Sequence, residues 1–139
     1  MRVLGLDVGD RRIGVAMSDP LGLTAQRLTV LTRTAAAADA DAVGALVAAH
    51  GVARIVVGLP LTLRGERGIQ AQKVTAFADL LRRRVPVPLV LVDERLTTVQ
   101  GQRMLQHTRA SRRTRKAAID QIAAQLILQH YLDATRQTT

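Results

Sequence analysis

Short apolar runs and longer helical stripes alternate along the chain, and their order predicts the architecture. Val3 to Val8 is apolar and partly β-branched, breaks at the turn dipeptide Gly9-Asp10, and is followed by a second apolar run, Ile13 to Met17. The two runs predict an antiparallel hairpin, and Thr24 to Thr32, beyond the turn Asp19-Pro20-Leu21-Gly22, predicts a third strand. Thr34 is placed to cap a helix with Val43, Leu46 and Val47 on one stripe, which stops at Gly51. Arg54 to Gly58 is apolar after its first residue, the pattern of a strand buried on both faces. Glu66 to Arg84 carries Val74, Phe77, Ala78 and Leu81 at helical spacing. Pro86 and Pro88 close it and lead into Leu89 to Val92, a second buried strand. A short helix capped by Thr97 or Thr98 is expected to reach about His107, and a last helix about Asp133. Residues 134–139 have little apolar content and are expected to fray.

Three antiparallel strands followed by alternating helices and strands predict an α/β fold: a five-stranded mixed sheet, three antiparallel strands then two parallel, with helices on both faces. Its 139 residues fit a single domain, 1–139, with no internal repeat or linker. In such sheets ligands gather beyond the carboxyl ends of the parallel strands.

Composition narrows the chemistry. There is no Cys, which excludes disulfides, thiol catalysis and Cys-ligated zinc, and the three His have no zinc-site spacing. Phe77 and Tyr131 are the only aromatic residues, so a platform of stacked bases is excluded as the mode of recognition. No apolar run approaches the roughly 20 residues that cross a bilayer. The first ten residues place two Asp and two Gly where a signal peptide needs an unbroken apolar stretch, and a cytoplasmic protein is expected. Twenty basic residues against 11 acidic give a net charge of +9. That excess makes nucleic acid the first partner to consider, the alternative being a surface that is basic for solubility alone.

With only 11 acidic residues, each position counts. Asp7 interrupts an apolar strand at its end, Asp93-Glu94 lies directly beyond the last strand, and Asp120 sits among Ile119, Ile122 and Ala123 on the last helix. All three belong to elements expected to meet at one end of the sheet. Asp120 is either partly desolvated there, which requires a compensating cation or donor, or exposed and paired with Lys116 one turn back. Oxygen ligands without His or Cys suit Mg²⁺ or Mn²⁺, and two such ions about 3.5–4 Å apart can drive in-line phosphodiester hydrolysis. Adjacent strand residues face opposite ways, so one of Asp93 and Glu94 is expected in the site.

These residues carry a family likeness. Gly5-Leu6-Asp7-Val8-Gly9, Arg12-Ile13-Gly14-Val15-Ala16 and Ser18-Asp19 resemble the opening motif of the YqgF/RuvX family. Val57-Gly58-Leu59-Pro60 with Gly65, Asp93-Glu94-Arg95-Leu96-Thr97-Thr98, and Asp120-Gln121-Ile122-Ala123-Ala124 match its remaining blocks in order, from about residue 2 to residue 133. The resemblance implies a ribonuclease H-like fold and a nuclease of the Holliday-junction-resolvase superfamily. It further implies maturation of the 5′ end of bacterial 16S rRNA, and it carries the metal-binding carboxylate role to Asp7, Glu94 and Asp120. The chain departs from the family at Val99-Gln100-Gly101-Gln102, where Glu-Ala is usual at 100–101. A glycine inside a helix costs about 1 kcal/mol relative to Ala.

Around the carboxylates, Arg12 and Arg95 can bind a phosphate or pair with Asp10, Asp19 or Asp93. Thr97 and Thr98 are helix caps beside which an anion is also favoured. Arg109, Arg112, Arg113, Arg115 and Lys116 form the basic stretch leading into the Asp120 helix and are assigned to the substrate backbone, whereas Arg82 to Arg84 fit a solvated face. Gly58 is expected simply to end its strand. The expected activity is Mg²⁺- or Mn²⁺-dependent hydrolysis of RNA, pre-16S rRNA in particular, by a monomer or weak homodimer with no membrane partner. A resolvase acting on branched DNA and a non-catalytic RNA-binding module are the alternatives.

Overall fold

A computed structural model of the chain describes residues 1–62, 64–94 and 112–136, with the backbone alone for 112–120. Its elements are β1 (Arg2–Val8), β2 (Arg12–Ser18), β3 (Ala25–Thr32), α1 (Ala36–His50), β4 (Val52–Leu59), α2 (Ile69–Arg84), β5 (Leu89–Asp93) and α3 (Arg112–Arg136). The strands form one sheet in the order β3-β2-β1-β4-β5. β1 pairs antiparallel with β2, and β2 with β3, while β4 lies parallel to β1 and β5 parallel to β4. The mixed five-stranded sheet is the one the hydrophobic pattern predicts.

Alternation along β1 assigns the two faces. Leu4, Leu6 and Val8 join Ile13, Val15, Ile55 and Val57 in a core covered by α1 and α2, through Val43, Val47, Val74, Phe77 and Leu81. Val3 and its even-spaced neighbours face α3, whose Ala123, Ala124, Ile127, Leu128 and Leu132 pack on Ala16, Ala25 and Val56. Small residues let this helix lie close to the sheet: a Cβ on Gly5 would stand 2.7 Å from Leu128 Cβ and 3.2 Å from the Ala124 carbonyl oxygen. Gln125 and Gln129 then tie α3 to the third strand, donating to the Ala25 carbonyl at 3.0 Å and accepting the Ala25 amide at 2.9 Å.

Several boundaries differ from the pattern-based expectation. Thr34 does not cap α1: Ala35 is the cap residue, and the Asp39 carboxylate reaches back to accept the Thr34 amide at 3.0 Å. α2 begins at Ile69 instead of Glu66, because Glu66 is held in a turn by Thr62, whose hydroxyl accepts the Glu66 amide at 3.1 Å. β5 is half-buried along its whole length because it is an edge strand; an apolar run cannot tell edge from centre. Residues 134–136, expected in the tail, continue α3, where the Thr135 hydroxyl donates to the Tyr131 carbonyl at 2.9 Å. Gly51 ends α1 as expected, in the left-handed conformation at φ 62°. The helix expected to reach His107 and residues 137–139 lie outside the described residues.

Candidate active site

The parallel strands β1, β4 and β5 all end at one edge of the sheet, and a cleft of about 210 Å³ opens there. Asp7, Val8, Gly9 and Asp10 line it from β1 and its turn, Pro60 from the end of β4, Gln70 from the first turn of α2, and Glu94 from beyond β5. Asp7 is 3% exposed and Glu94 1%, so two of the chain's scarce acids are withdrawn from bulk water into one recess.

Strand parity explains why these two meet. β1 and β4 are in register as Leu6↔Val57, and one further residue sets Asp7 beside Gly58; β4 and β5 pair Gly58 with Val92. Asp7, Gly58 and Val92 therefore share the α3 face, and Glu94, two residues after Val92, returns to it. Asp93 pairs with Leu59 and belongs to the opposite face, and it does not line the cleft. Gly58 sits inside β4, not at its end as expected. A Cβ there would stand 2.7 Å from Glu94 Oε1 and 2.5 Å from Ile127 Cδ1, so the absent side chain is the space that Glu94 occupies.

α3 runs antiparallel to β1 and β4: Gly58 faces Ile127, whereas Arg54, four residues earlier, reaches the Tyr131 hydroxyl, four residues later. Asp120 precedes Ala124, the neighbour of Gly5, by one helical turn, and Asp7 follows Gly5 by two strand residues. A four-residue helical rise of about 6 Å nearly matches a two-residue strand rise of about 6.8 Å, so the Asp120 backbone lies level with Asp7. The Asp120 side chain is outside the described residues, and among the described residues no three His, Asp or Glu gather at one point.

The remaining candidates divide. Arg12 is half-buried at the start of β2 and is not among the cleft-lining residues. Arg95, Thr97, Thr98 and Arg109 lie outside the described residues, as do the side chains of Arg112, Arg113, Arg115 and Lys116. Arg82 and Arg84 make exposed ion pairs with Asp79 and Asp41, both at 3.0 Å, as a solvated face would. Sequence reasoning missed Gln70 and the cleft role of Asp10. Gln70 carries no motif, and only its place at the start of a helix after Pro60 could have pointed to it. Asp10, an expected partner for Arg12 or Arg95, meets Lys73 of α2 at 3.4 Å.

The oxygen-only donor set of Asp7 and Glu94 fits a hard divalent cation such as Mg²⁺ or Mn²⁺ and suits no soft metal. Both carboxylates are nearly fully buried, unlike solvated surface acids, and a buried carboxylate calls for compensation by a cation or donors.

Comparison with known proteins places the chain among nucleases. A family model described as "RuvX: Holliday junction resolvase" matches residues 1–134. A protein of Moorella thermoacetica named "Putative pre-16S rRNA nuclease" is 52% identical over 99% of this chain and 98% of its own length. One of Desulforamulus reducens with the same name is 45% identical over 96% and 98%. Among solved structures, Thermus thermophilus RuvC bound to a Holliday junction superposes with a TM-score of 0.61 at 16% identity, over 100% of this chain and 98% of that one. The fowlpox virus resolvase–junction complex gives 0.54 at 8% identity, over 97% and 99%. At these identities the two structures establish the fold, the ribonuclease H-like sheet of the resolvases.

Proposed function

The chain belongs to the RuvX Holliday junction resolvase family and is a nuclease, and from that premise we propose that it hydrolyses RNA phosphodiester bonds with Mg²⁺ or Mn²⁺, trimming the 5′ end of the 16S rRNA precursor in the cytoplasm. The observation that carries this reading is the convergence of Asp7, on β1, and Glu94, just beyond β5, in one buried recess at the carboxyl ends of the parallel strands. Asp7 and Glu94 would hold the metal, with Asp120 as the third carboxylate from α3. Bound there, such ions supply an activated water at neutral pH and neutralise charge on the phosphate oxygens.

The chain's own groups do the rest. Burial of Asp7 and Glu94 against the sheet restrains both carboxylates before substrate arrives, while the cleft beside them leaves room for water. Gln70 adds an amide side chain to the lining of the same recess. Arg12, Arg95, Thr97, Thr98 and the stretch Arg109, Arg112, Arg113, Arg115 and Lys116 would supply contacts to the phosphate backbone. The scarcity of aromatic residues makes this recognition of backbone and shape more than of bases.

Substitution tests the reading directly. Asp7→Asn is expected to abolish cleavage while RNA affinity measured without divalent metal stays within a few-fold of wild type. Retained cleavage removes Asp7 from the mechanism, and an inactive wild-type protein that still binds RNA establishes the non-catalytic alternative. The family description favours one rival, a resolvase of branched DNA, which needs a two-fold dimer to place two sites on opposed strands. Incubation with pre-16S rRNA fragments and with four-way junctions, under Mg²⁺ and Mn²⁺, separates the two: paired symmetric nicks in junctions would overturn the RNA assignment.

A further inference from the structure

We infer that Arg33 is a positioning residue for the cleft, a strut that holds its β1–β2 rim from behind. Arg33 lies just past β3, 24 residues from the rim it touches. Its Nη1 donates to the Gly9 carbonyl at 2.9 Å, and its backbone amide donates to the Arg11 carbonyl at 2.9 Å. Gly9 itself lines the cleft two residues after Asp7, and its amide closes the turn on the Arg12 carbonyl at 2.8 Å. Both ends of the turn are therefore tied, directly or through this loop, to one arginine.

The guanidinium is itself fixed on two further sides. Its Nε donates to Asp39 Oδ2 at 3.1 Å, and its carbon lies 4.9 Å from the centre of the Phe77 ring. Asp39, on α1, is only 5% exposed and uses its other oxygen to accept the Thr34 amide; Phe77 belongs to the α2 side of the core. One planar group thus joins the rim to both helices of that layer. A lysine could replace any one of these bonds but not the fork that makes them together. The strut approaches from the α1–α2 face, whereas Asp7 points to the α3 face, so Arg33 acts on the site through the turn backbone and not by contact with substrate. Groups hydrogen-bonded to a metal ligand set its orientation, and losing one typically costs about 10- to 100-fold in metal affinity or activity; Arg33 acts one step further back, through the turn that follows Asp7.

This inference rests on the nuclease reading above, and its test separates the two. Arg33→Gln and Arg33→Lys are compared with wild type well below their melting temperatures. Three quantities are read: amide hydrogen exchange at Gly9 and Arg33, Mn²⁺ affinity of the RNA-free protein by calorimetry, and kcat and KM for RNA. In Arg33→Gln, exchange at Gly9 and Arg33 should accelerate about tenfold while the β1–β4 core keeps its protection, and Mn²⁺ affinity and kcat should each fall about 10-fold or more with KM within twofold. Arg33→Lys should recover part of kcat, because an ammonium can still reach the Gly9 carbonyl. Unchanged exchange at the turn, or a folded Arg33→Gln with wild-type Mn²⁺ affinity and kcat, overturns the inference. If wild type neither binds Mn²⁺ nor cleaves while exchange at Gly9 still accelerates in Arg33→Gln, the nuclease reading falls and the strut stands.

Discussion

Gly58→Ala adds one methyl group where the structure has no room for it. The new Cβ would lie 2.5 Å from Ile127 Cδ1, 2.7 Å from Glu94 Oε1 and 3.1 Å from Glu94 Cγ, where ordinary contact begins at 3.4 Å. It therefore intrudes by about 0.9 Å on Ile127 and about 0.7 Å on the carboxylate. Ile127 and Glu94 are fully or almost fully buried, so neither can swing into solvent without disturbing its neighbours. Overpacking of this kind costs about 1–3 kcal/mol of stability, to be read as a shift of the urea midpoint. A carboxylate displaced by the better part of an ångström can cost up to about 100-fold in turnover, to be read from single-turnover cleavage at saturating Mn²⁺. The two effects separate in the double variant Gly58→Ala/Ile127→Val. Removing Cδ1 relieves the closer clash and should return much of the stability, but the clash with Glu94 persists and turnover should stay low. Activity that recovers together with stability in the double variant, or a Gly58→Ala protein with wild-type turnover, would refute the assignment of this glycine to Glu94.

Four further outcomes are expected. Gly44→Ala on α1 should stabilise by about 0.5–1 kcal/mol in urea titration with cleavage unchanged, because its Cβ would meet only Val85 Cγ2 at 3.4 Å. Tyr131→Phe removes the hydroxyl that accepts from Arg54 Nη1 at 2.5 Å, beside a buried Arg54 Nε with no partner among the described residues. The loss should be about 1–3 kcal/mol, and a cycle with Arg54→Met should be non-additive. The Asp19 carboxylate is held below its ordinary range, first by the Thr24 amide and also by the Leu23 amide. A lowered folded-state value contributes stability above about pH 4 that is lost as pH falls further, so Asp19→Asn should flatten the acid side of a melting-temperature profile taken between pH 6 and pH 2.5. RNA affinity should fall with salt at a log–log slope of about −0.7 per phosphate contacted; a flat response would remove the basic stretch from the interface.

How much of this was legible beforehand follows from what a linear pattern can encode. The five strands were readable because turns and prolines punctuate them, and Gly51 because only a glycine ends a helix so cheaply at positive φ. Asp7 stood out as an acid inside an apolar run, and strand alternation alone required that Asp93 and Glu94 diverge. The start of α1 is not legible in the pattern, because Asp39 reaches backward to the Thr34 amide, a direction that a forward cap pattern does not register. The apolar run of β5 predicts burial that an edge strand does not have, because apolar content reports what a strand can tolerate and not how many neighbours it has.

Gly58 and Arg33 mark the deeper limit. Each matters because of residues far along the chain: Gly58 because Glu94 and Ile127 need its empty side, Arg33 because Gly9 presents a carbonyl to it across 24 residues. Residue type announces where a carboxylate can act, since burying one without purpose is costly. It says nothing about which glycine makes the space or which arginine braces the turn, because those roles exist only once the sheet has closed. The acids are thus the legible half of the site. The half that holds them in place is written in packing, and it is there, at Gly58 and Arg33, that substitutions should change turnover without touching a single carboxylate.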